Sequence, residues 1–191
     1  KFCFAYRTDL IEKKWIIDEL STIGLVDNVE FVAISGVTKG QADTAYLAVT
    51  KATAPMQDRL IIFNIDSFYL EPIPQDVFID KQSTIDLVRL PGSHWSFAKM
   101  NEFDDILEVA EKKRISDYCS TGLYHFESID VFLKAFRAYE FEGLLEMYVM
   151  PLYNYLLKNG FLVKGRIINN NQYVVAGTPI EYEDATNWFD S

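Results

Sequence analysis

Cysteine and histidine are nearly absent from this sequence, with two of each in 191 residues. Cys3 and Cys119 fall in separate strand-like segments without partner spacing. That excludes a disulfide framework and a cysteine zinc site, and it matches a reducing compartment; both read as small apolar residues. His94 and His125 are too few for a histidine-rich metal centre, and no Gly-x-Ser-x-Gly elbow is present. Positive charge is also scarce. The 18 Lys and Arg against 28 Asp and Glu leave a formal −10, and the longest basic tract is Lys112-Lys113-Arg114. A nucleic-acid binder needs a basic face to neutralise phosphates, so nucleic acid is not an expected partner. Apolar runs fall far short of the ~18 to 20 residues of a spanning helix, and Lys1 to Tyr6 lacks the apolar stretch and cleavage site of a secretory signal. The expectation is therefore a cytoplasmic protein with no membrane insertion. With 49% hydrophobic residues the chain can bury a sizeable core, read as a single domain over 1–191.

What is present is an alternation of strands and helices. Phe2 to Tyr6 reads as a strand, and Leu10, Ile11, Trp15, Ile16 and Leu20 recur at helical spacing up to Gly24. Val29 to Ser35 reads as a strand and Gln41 to Lys51 as a helix entered through Gly40. Arg59 to Asp66 holds five apolar residues in a run of six, the pattern of a strand buried on both faces of a helix-covered parallel sheet. Beyond it, Phe68 to Pro74 is expected to be irregular, being broken by two prolines. Strands are expected at Thr84 to Leu90, Ser96 to Met100, Ile106 to Ala110 and Ser120 to Phe126. A helix around Phe132 to Phe136, another over Met147 to Asn159, strands at Phe161 to Ile168 and Tyr173 to Ala176, and a last helix from Pro179 to Phe189 complete the reading. The fold class is α/β, a Rossmann-like (GT-A-type) mixed, mostly parallel sheet flanked by helices.

Three junctions carry residues suited to chemistry. Asp66 ends a strand, where open α/β sheets hold ligands, and a carboxylate there is stabilised by a cation or by hydrogen bonds. Gly40-Gln41 opens a helix whose free N–H groups can face an anion or a base edge, although an ordinary helix start looks the same. Glu111-Lys112 pairs an acid that accepts from hydroxyls with a base that neutralises phosphate; a solvated pair at a strand end is the plainer alternative.

In order along the chain, Thr38-Lys39-Gly40-Gln41-Ala42-Asp43-Thr44, Phe63-Asn64-Ile65-Asp66, His94-Trp95-Ser96-Phe97, Val109-Ala110-Glu111-Lys112, Ile115-Ser116-Asp117, Thr121-Gly122-Leu123-Tyr124, Tyr148 to Asn154 and Gly177-Thr178-Pro179 resemble the sugar-phosphate nucleotidyltransferase family. The likeness is to its bacterial capsule and surface-polysaccharide branch. The resemblance implies Mg²⁺ on Asp66, the nucleotide base against Gly40 and Gln41, and sugar hydroxyls on Glu111. It implies the sugar phosphate on Lys112, and Trp95, Ser96, Thr121 and Gly122 lining the sugar pocket. The implied reaction joins a nucleoside triphosphate and a sugar phosphate with release of pyrophosphate, for which charge placement and positioning supply most of the rate. The implied partners are those two substrates, with a homo-oligomer left open.

Two departures accompany the likeness. The family's Gly-rich phosphate loop, with its arginine and a catalytic lysine, belongs to a first strand that this chain begins beyond. The expectation is a missing segment of roughly 40 to 50 residues, about one β-α unit and a turn in length, without which the chain is inactive. The second acidic metal ligand that many members carry two residues before Gly177 is Val175 here. The alternatives are a GT-A-type glycosyltransferase, disfavoured because Phe68 stands where an Asp-x-Asp motif needs its second acid, and a catalytically degenerate nucleotide- or sugar-binding module.

Overall fold

The structure, a computed structural model, describes residues 1–73, 81–139 and 146–189. The chain divides into two compact units, Lys1–Met56 with Glu140–Val149, and Gln57–Tyr139 with Met150–Ser191. In the first unit β1 (Phe2–Arg7) and β2 (Val29–Ile34) pair in parallel, Phe2 opposite Val29 and Arg7 opposite Ile34. Helix α1 (Lys13–Thr22) separates them and α2 (Gln41–Lys51) follows β2. Ile16, Val32, Ile34, Ala42, Ala48 and Val49 are the buried apolar side chains of these elements. Helix α1 begins later than the apolar spacing predicts, because Leu10 and Ile11 donate to the Arg7 carbonyl in a turn and their side chains stay exposed. Cys3 is exposed on β1, unlike the buried Cys119.

The second unit is built on a six-stranded sheet. Its strands are β3 (Leu60–Phe63), β5 (Ser83–Val88), β6 (Ser96–Met100), β7 (Ile106–Glu111), β8 (Cys119–Phe126) and β9 (Val163–Ile167), in the order β7-β6-β8-β5-β9, with β3 also paired to β8. A separate two-stranded ribbon joins β4 (Ser67–Tyr69) to β10 (Tyr173–Val175), antiparallel, with Ser67 opposite Val175. Helices α3 (Ile129–Ala138), α4 (Tyr153–Lys158) and α5 (Pro179–Phe189) complete the unit. Ser128 caps α3 by accepting from the Val131 N–H, and the helix buries Ile129, Phe132, Leu133 and Ala135. Phe126 of β8 packs edge-on against Phe132 at 5.2 Å and stacks on Tyr153 at 4.6 Å, each contact adding about 0.5–1.5 kcal/mol beyond area burial.

The α/β class with a mixed sheet and flanking helices is the one expected. The pairing in this unit is mixed: β5–β9 is parallel, whereas β3–β8, β5–β8, β6–β7 and β6–β8 are antiparallel. The all-buried strand is β8, not the Leu60 run, whose residues are half-buried and whose Phe63 is 43% exposed. An apolar run cannot by itself separate a central strand from one paired at a single edge. The helix expected over Met147 to Asn159 is confined to a 3₁₀ turn at Met150–Leu152 and α4, since Pro151 supplies no N–H for the first turn.

Candidate active site

The place where chemistry can be done is set by a change of partner along β8. On one side, its ladder to β6 ends at Cys119, and its ladder to β3 begins at Leu123. On the other side, the register with β5 shifts between Ile85 and Leu87. Ser120 still faces Leu87, but Thr121-Gly122 is released from regular pairing on both sides in the middle of a buried strand. Gly122 has φ +89°, and a Cβ there would stand 2.8 Å from Asn64 Nδ2. Only glycine combines that backbone with that approach. The turn after β3 is seated on β8 in this way.

Asp66 lies in that turn, half-buried, between β3 and β4. Its carbonyl accepts from the Ala176 N–H at 2.8 Å. Its Oδ2 is 3.0 Å from where a Cβ of Gly177 would sit, and Glu181 Oε2 is 3.7 Å from the same point. Gly177 therefore leaves a gap flanked by two carboxylates. Glu181 also closes a capping box on α5, accepting from the Thr178 N–H at 2.9 Å while its own N–H donates to Thr178 Oγ1 at 3.3 Å. Among the described residues no group of three or more His, Cys, Asp or Glu could hold a metal unaided. The hard oxygen of Asp66 beside this gap suits Mg²⁺, which binds through one or two carboxylates and completes its shell with water and substrate phosphates. Val175, where the resemblance places a second acid, is a β10 residue opposite Ser67.

Glu111 ends β7 and Lys112 follows it. Glu111 is half-buried, and its Oε2 accepts from Ser96 Oγ at 2.5 Å. The Ser96 and Ser120 hydroxyls neighbour that of Tyr124, and Ser120 Oγ accepts from the Gly122 N–H at 3.0 Å. A continuous run of contacts thus leads from Glu111 through Ser96, Tyr124, Ser120 and Gly122 to Asn64, two residues before Asp66. Burial pushes the Tyr124 hydroxyl up to about 12, aided by the nearby Glu111 charge and opposed by the Ser120 and Ser96 hydroxyls. It remains a neutral donor at physiological pH. Lys112 is exposed and has φ +53°, a left-handed backbone uncommon for lysine, held by donation of its N–H to the Trp95 carbonyl at 3.0 Å. Trp95 itself packs at a tilt against His94, ring centroids 4.2 Å apart, and donates its indole N–H to the Pro91 carbonyl.

Thr121 is turned inward. It is 1% exposed, its Oγ1 is 2.7 Å from the Tyr69 hydroxyl, and its carbonyl accepts from Tyr173 at 2.9 Å. Its side chain is taken up by Tyr69 and the Asp86 carbonyl. Gly40 and Gln41 belong to the first unit. Gly40 has φ +136°, and a Cβ there would lie 2.7 Å from the Met147 backbone, which bonds Lys39 and Ala42 on either side. The glycine is thereby accounted for locally, while Gln41 opens α2 half-buried.

Residues that sequence reasoning passed over are Asn64, Ser120, Tyr124, Glu181 and a hydrogen-bonded set in which half-buried Tyr69 and Arg166 meet buried Asp86 and Tyr173 joins through Thr121. Asp86 did leave a signal, as a carboxylate inside the apolar run Ile85 to Val88.

No family model matches the chain, and no curated protein matches it. Solved structures do. The nucleoside-diphosphate-sugar pyrophosphorylase of Vibrio cholerae RC9 is 30% identical, with a TM-score of 0.85 over 96% of this chain and 79% of that one. A putative glucose-1-phosphate thymidylyltransferase of Bacillus anthracis, in complex with a sucrose, gives 0.74 at 17% identity over 97% and 74%. A UDP-glucose pyrophosphorylase complexed with UDP-glucose gives 0.75 at 11% identity over 98% and 80%. The last two share the fold. At 30% identity over most of both chains, the Vibrio likeness goes further: the chain belongs to the nucleotide-sugar pyrophosphorylases, the sugar-phosphate nucleotidyltransferase family.

Proposed function

We propose that this protein transfers a nucleotidyl group from a nucleoside triphosphate to a sugar phosphate, or a related phosphorylated building block, with Mg²⁺ and with release of pyrophosphate. The product is a nucleotide-activated sugar for capsule or surface polysaccharide, made in the cytoplasm. The observation that carries this reading is the run of contacts from Glu111 to Asn64, which ties the acid–base pair at the end of β7 to the turn that holds Asp66.

The reaction brings two polyanions together. Asp66 would hold Mg²⁺ together with the triphosphate and water, and the ion would supply the positive charge that offsets this repulsion. Lys112 neutralises and orients the attacking phosphate, and its exposed ammonium at a fixed backbone turn suits that role. Glu111, aimed by Ser96, accepts from sugar hydroxyls and sets the acceptor's angle. Trp95 and Ser96 form one wall of the acceptor pocket, with Gly122 and the inward-turned Thr121 behind it. Gly40 and Gln41 at the start of α2 serve the nucleotide base. Positioning and charge supply the rate in such a site.

Apolar Val175 opposite Ser67 favours one second reading, a binding module without turnover. A thermal-shift screen of four nucleoside triphosphates and a panel of sugar phosphates, followed by pyrophosphate release with the hits, separates the two. The enzyme reading expects one triphosphate and one acceptor to raise the melting point and then to release pyrophosphate only together. Stabilisation without release supports the module, and no stabilisation by any of them removes both readings.

A further inference from the structure

The ribbon of β4 and β10 carries Asp66 and Gly177 at the same end, just beyond the Ser67–Val175 pair, and its strands pair with each other rather than with the main sheet. Two tyrosine hydroxyls fasten it there. Tyr69 donates to Asp86 Oδ2 at 2.6 Å and meets Thr121 Oγ1 at 2.7 Å. Tyr173 donates to the Thr121 carbonyl at 2.9 Å and meets Ser67 Oγ, on the residue after Asp66, at 3.1 Å.

Asp86 is fully buried between the apolar Ile85 and Leu87, a costly place for a carboxylate. It is directly opposite Arg166 on β9, which donates through Nε to Oδ1 at 2.8 Å and through Nη2 to Oδ2. Arg166 Nη1 is buried with no hydrogen-bond partner. An apolar pair would pack the same strands without that penalty, but it would offer Tyr69 no acceptor. Burial raises both the Tyr69 and the Tyr173 hydroxyls above the ordinary tyrosine range, so both stay protonated donors.

We propose that the Asp86–Arg166 pair, acting through Tyr69 and Thr121 and assisted by Tyr173, is a set of positioning residues that holds the Asp66 carboxylate in place for its metal. The inference rests on the reading of Asp66 as the metal ligand. Residues that orient a ligating carboxylate typically govern ~10–100-fold in metal affinity.

The test is Mn²⁺ binding to the protein alone, read from the loss of the free-ion electron paramagnetic resonance signal, together with amide hydrogen exchange. Tyr69→Phe removes one hydroxyl and keeps the ring contacts with Phe63 and Tyr173. Tyr69→Phe is expected to weaken Mn²⁺ binding about tenfold and to lose exchange protection at Asn64 to Tyr69 and Tyr173 to Gly177, with β8 and α3 unchanged. Asp86→Asn is expected to do the same more strongly, and Asp86→Glu to recover part of the affinity. Asp66→Ala, run alongside, should abolish binding. Loss with Asp66→Ala but unchanged affinity in Tyr69→Phe and Asp86→Asn overturns the positioning role alone. Unchanged affinity in Asp66→Ala overturns the metal reading and the positioning role with it. Should Asp86→Asn fail to fold, the Tyr69→Phe result decides.

Discussion

Asn64 occupies the space that a side chain on Gly122 would need, with its Nδ2 2.8 Å and its Cγ 3.0 Å from the position of a Cβ. The turn preceding Asp66 therefore rests on the irregular part of β8. Gly122→Ala meets both this clash and the φ of +89°, and it is expected to destabilise the protein by about 2 kcal/mol or more. Adding Asn64→Ala should recover part of the loss and leave the backbone component. Urea denaturation of the three variants measures the split.

Tyr124 makes stability fall at alkaline pH. Its hydroxyl is at about 12 when folded, against 10.0 for an ordinary tyrosine, so between these values the unfolded chain has lost the proton and the folded chain keeps it. The contribution is complete below pH 10 and is lost as pH rises through 12, by roughly 3 kcal/mol in total. Tyr69, Tyr153 and Tyr173 are shifted in the same direction and steepen the total dependence. Comparing Tyr124→Phe with the parent between pH 9 and pH 11.5 isolates one increment: the variant should show the shallower slope.

The buried pair predicts a non-additive result. Asp86→Leu leaves the Arg166 guanidinium without its carboxylate and is expected to cost roughly 3–5 kcal/mol, whereas Asp86→Leu with Arg166→Met should recover most of it. Equal losses in the single and double variants, by denaturant titration, would contradict the ion-pair account.

At Lys112 stability and function are expected to diverge. A left-handed backbone costs a non-glycine residue about 1 kcal/mol or somewhat more, so Lys112→Gly should stabilise the fold by a similar, slightly smaller amount. The same variant should raise the KM for the sugar phosphate far more than that for the triphosphate. Steady-state kinetics with each substrate varied in turn checks this.

Asp66, Glu111 and the start of α2 were legible in the sequence because each sits where an apolar pattern ends. Helix α5 and strands β6 to β8 were legible for the same reason. Strand β10 was legible too, but β4 and its pairing with β10 were not, since the hydroxyls of Ser67 and Tyr173 meet across 106 residues and the prolines after Leu70 made the segment look irregular. Nor was the inward turn of Thr121, because a threonine in a strand shows the same letter whether its hydroxyl meets a ligand or a buried tyrosine. Gly40 shows the opposite limit. A glycine before a helix suggested a ligand, and the close approach of the Met147 backbone already requires it.

The central claim is that Asp66 holds the metal of a pyrophosphate-releasing site. The measurement is the rate of pyrophosphate release from the triphosphate and sugar phosphate chosen by thermal shift, for the parent and for Asp66→Ala, across a Mg²⁺ titration and after chelation. The account predicts release by the parent that disappears with chelator and returns with Mg²⁺, and a loss of at least about a hundredfold in Asp66→Ala at every Mg²⁺ concentration. Release by Asp66→Ala at the parent's rate would contradict it.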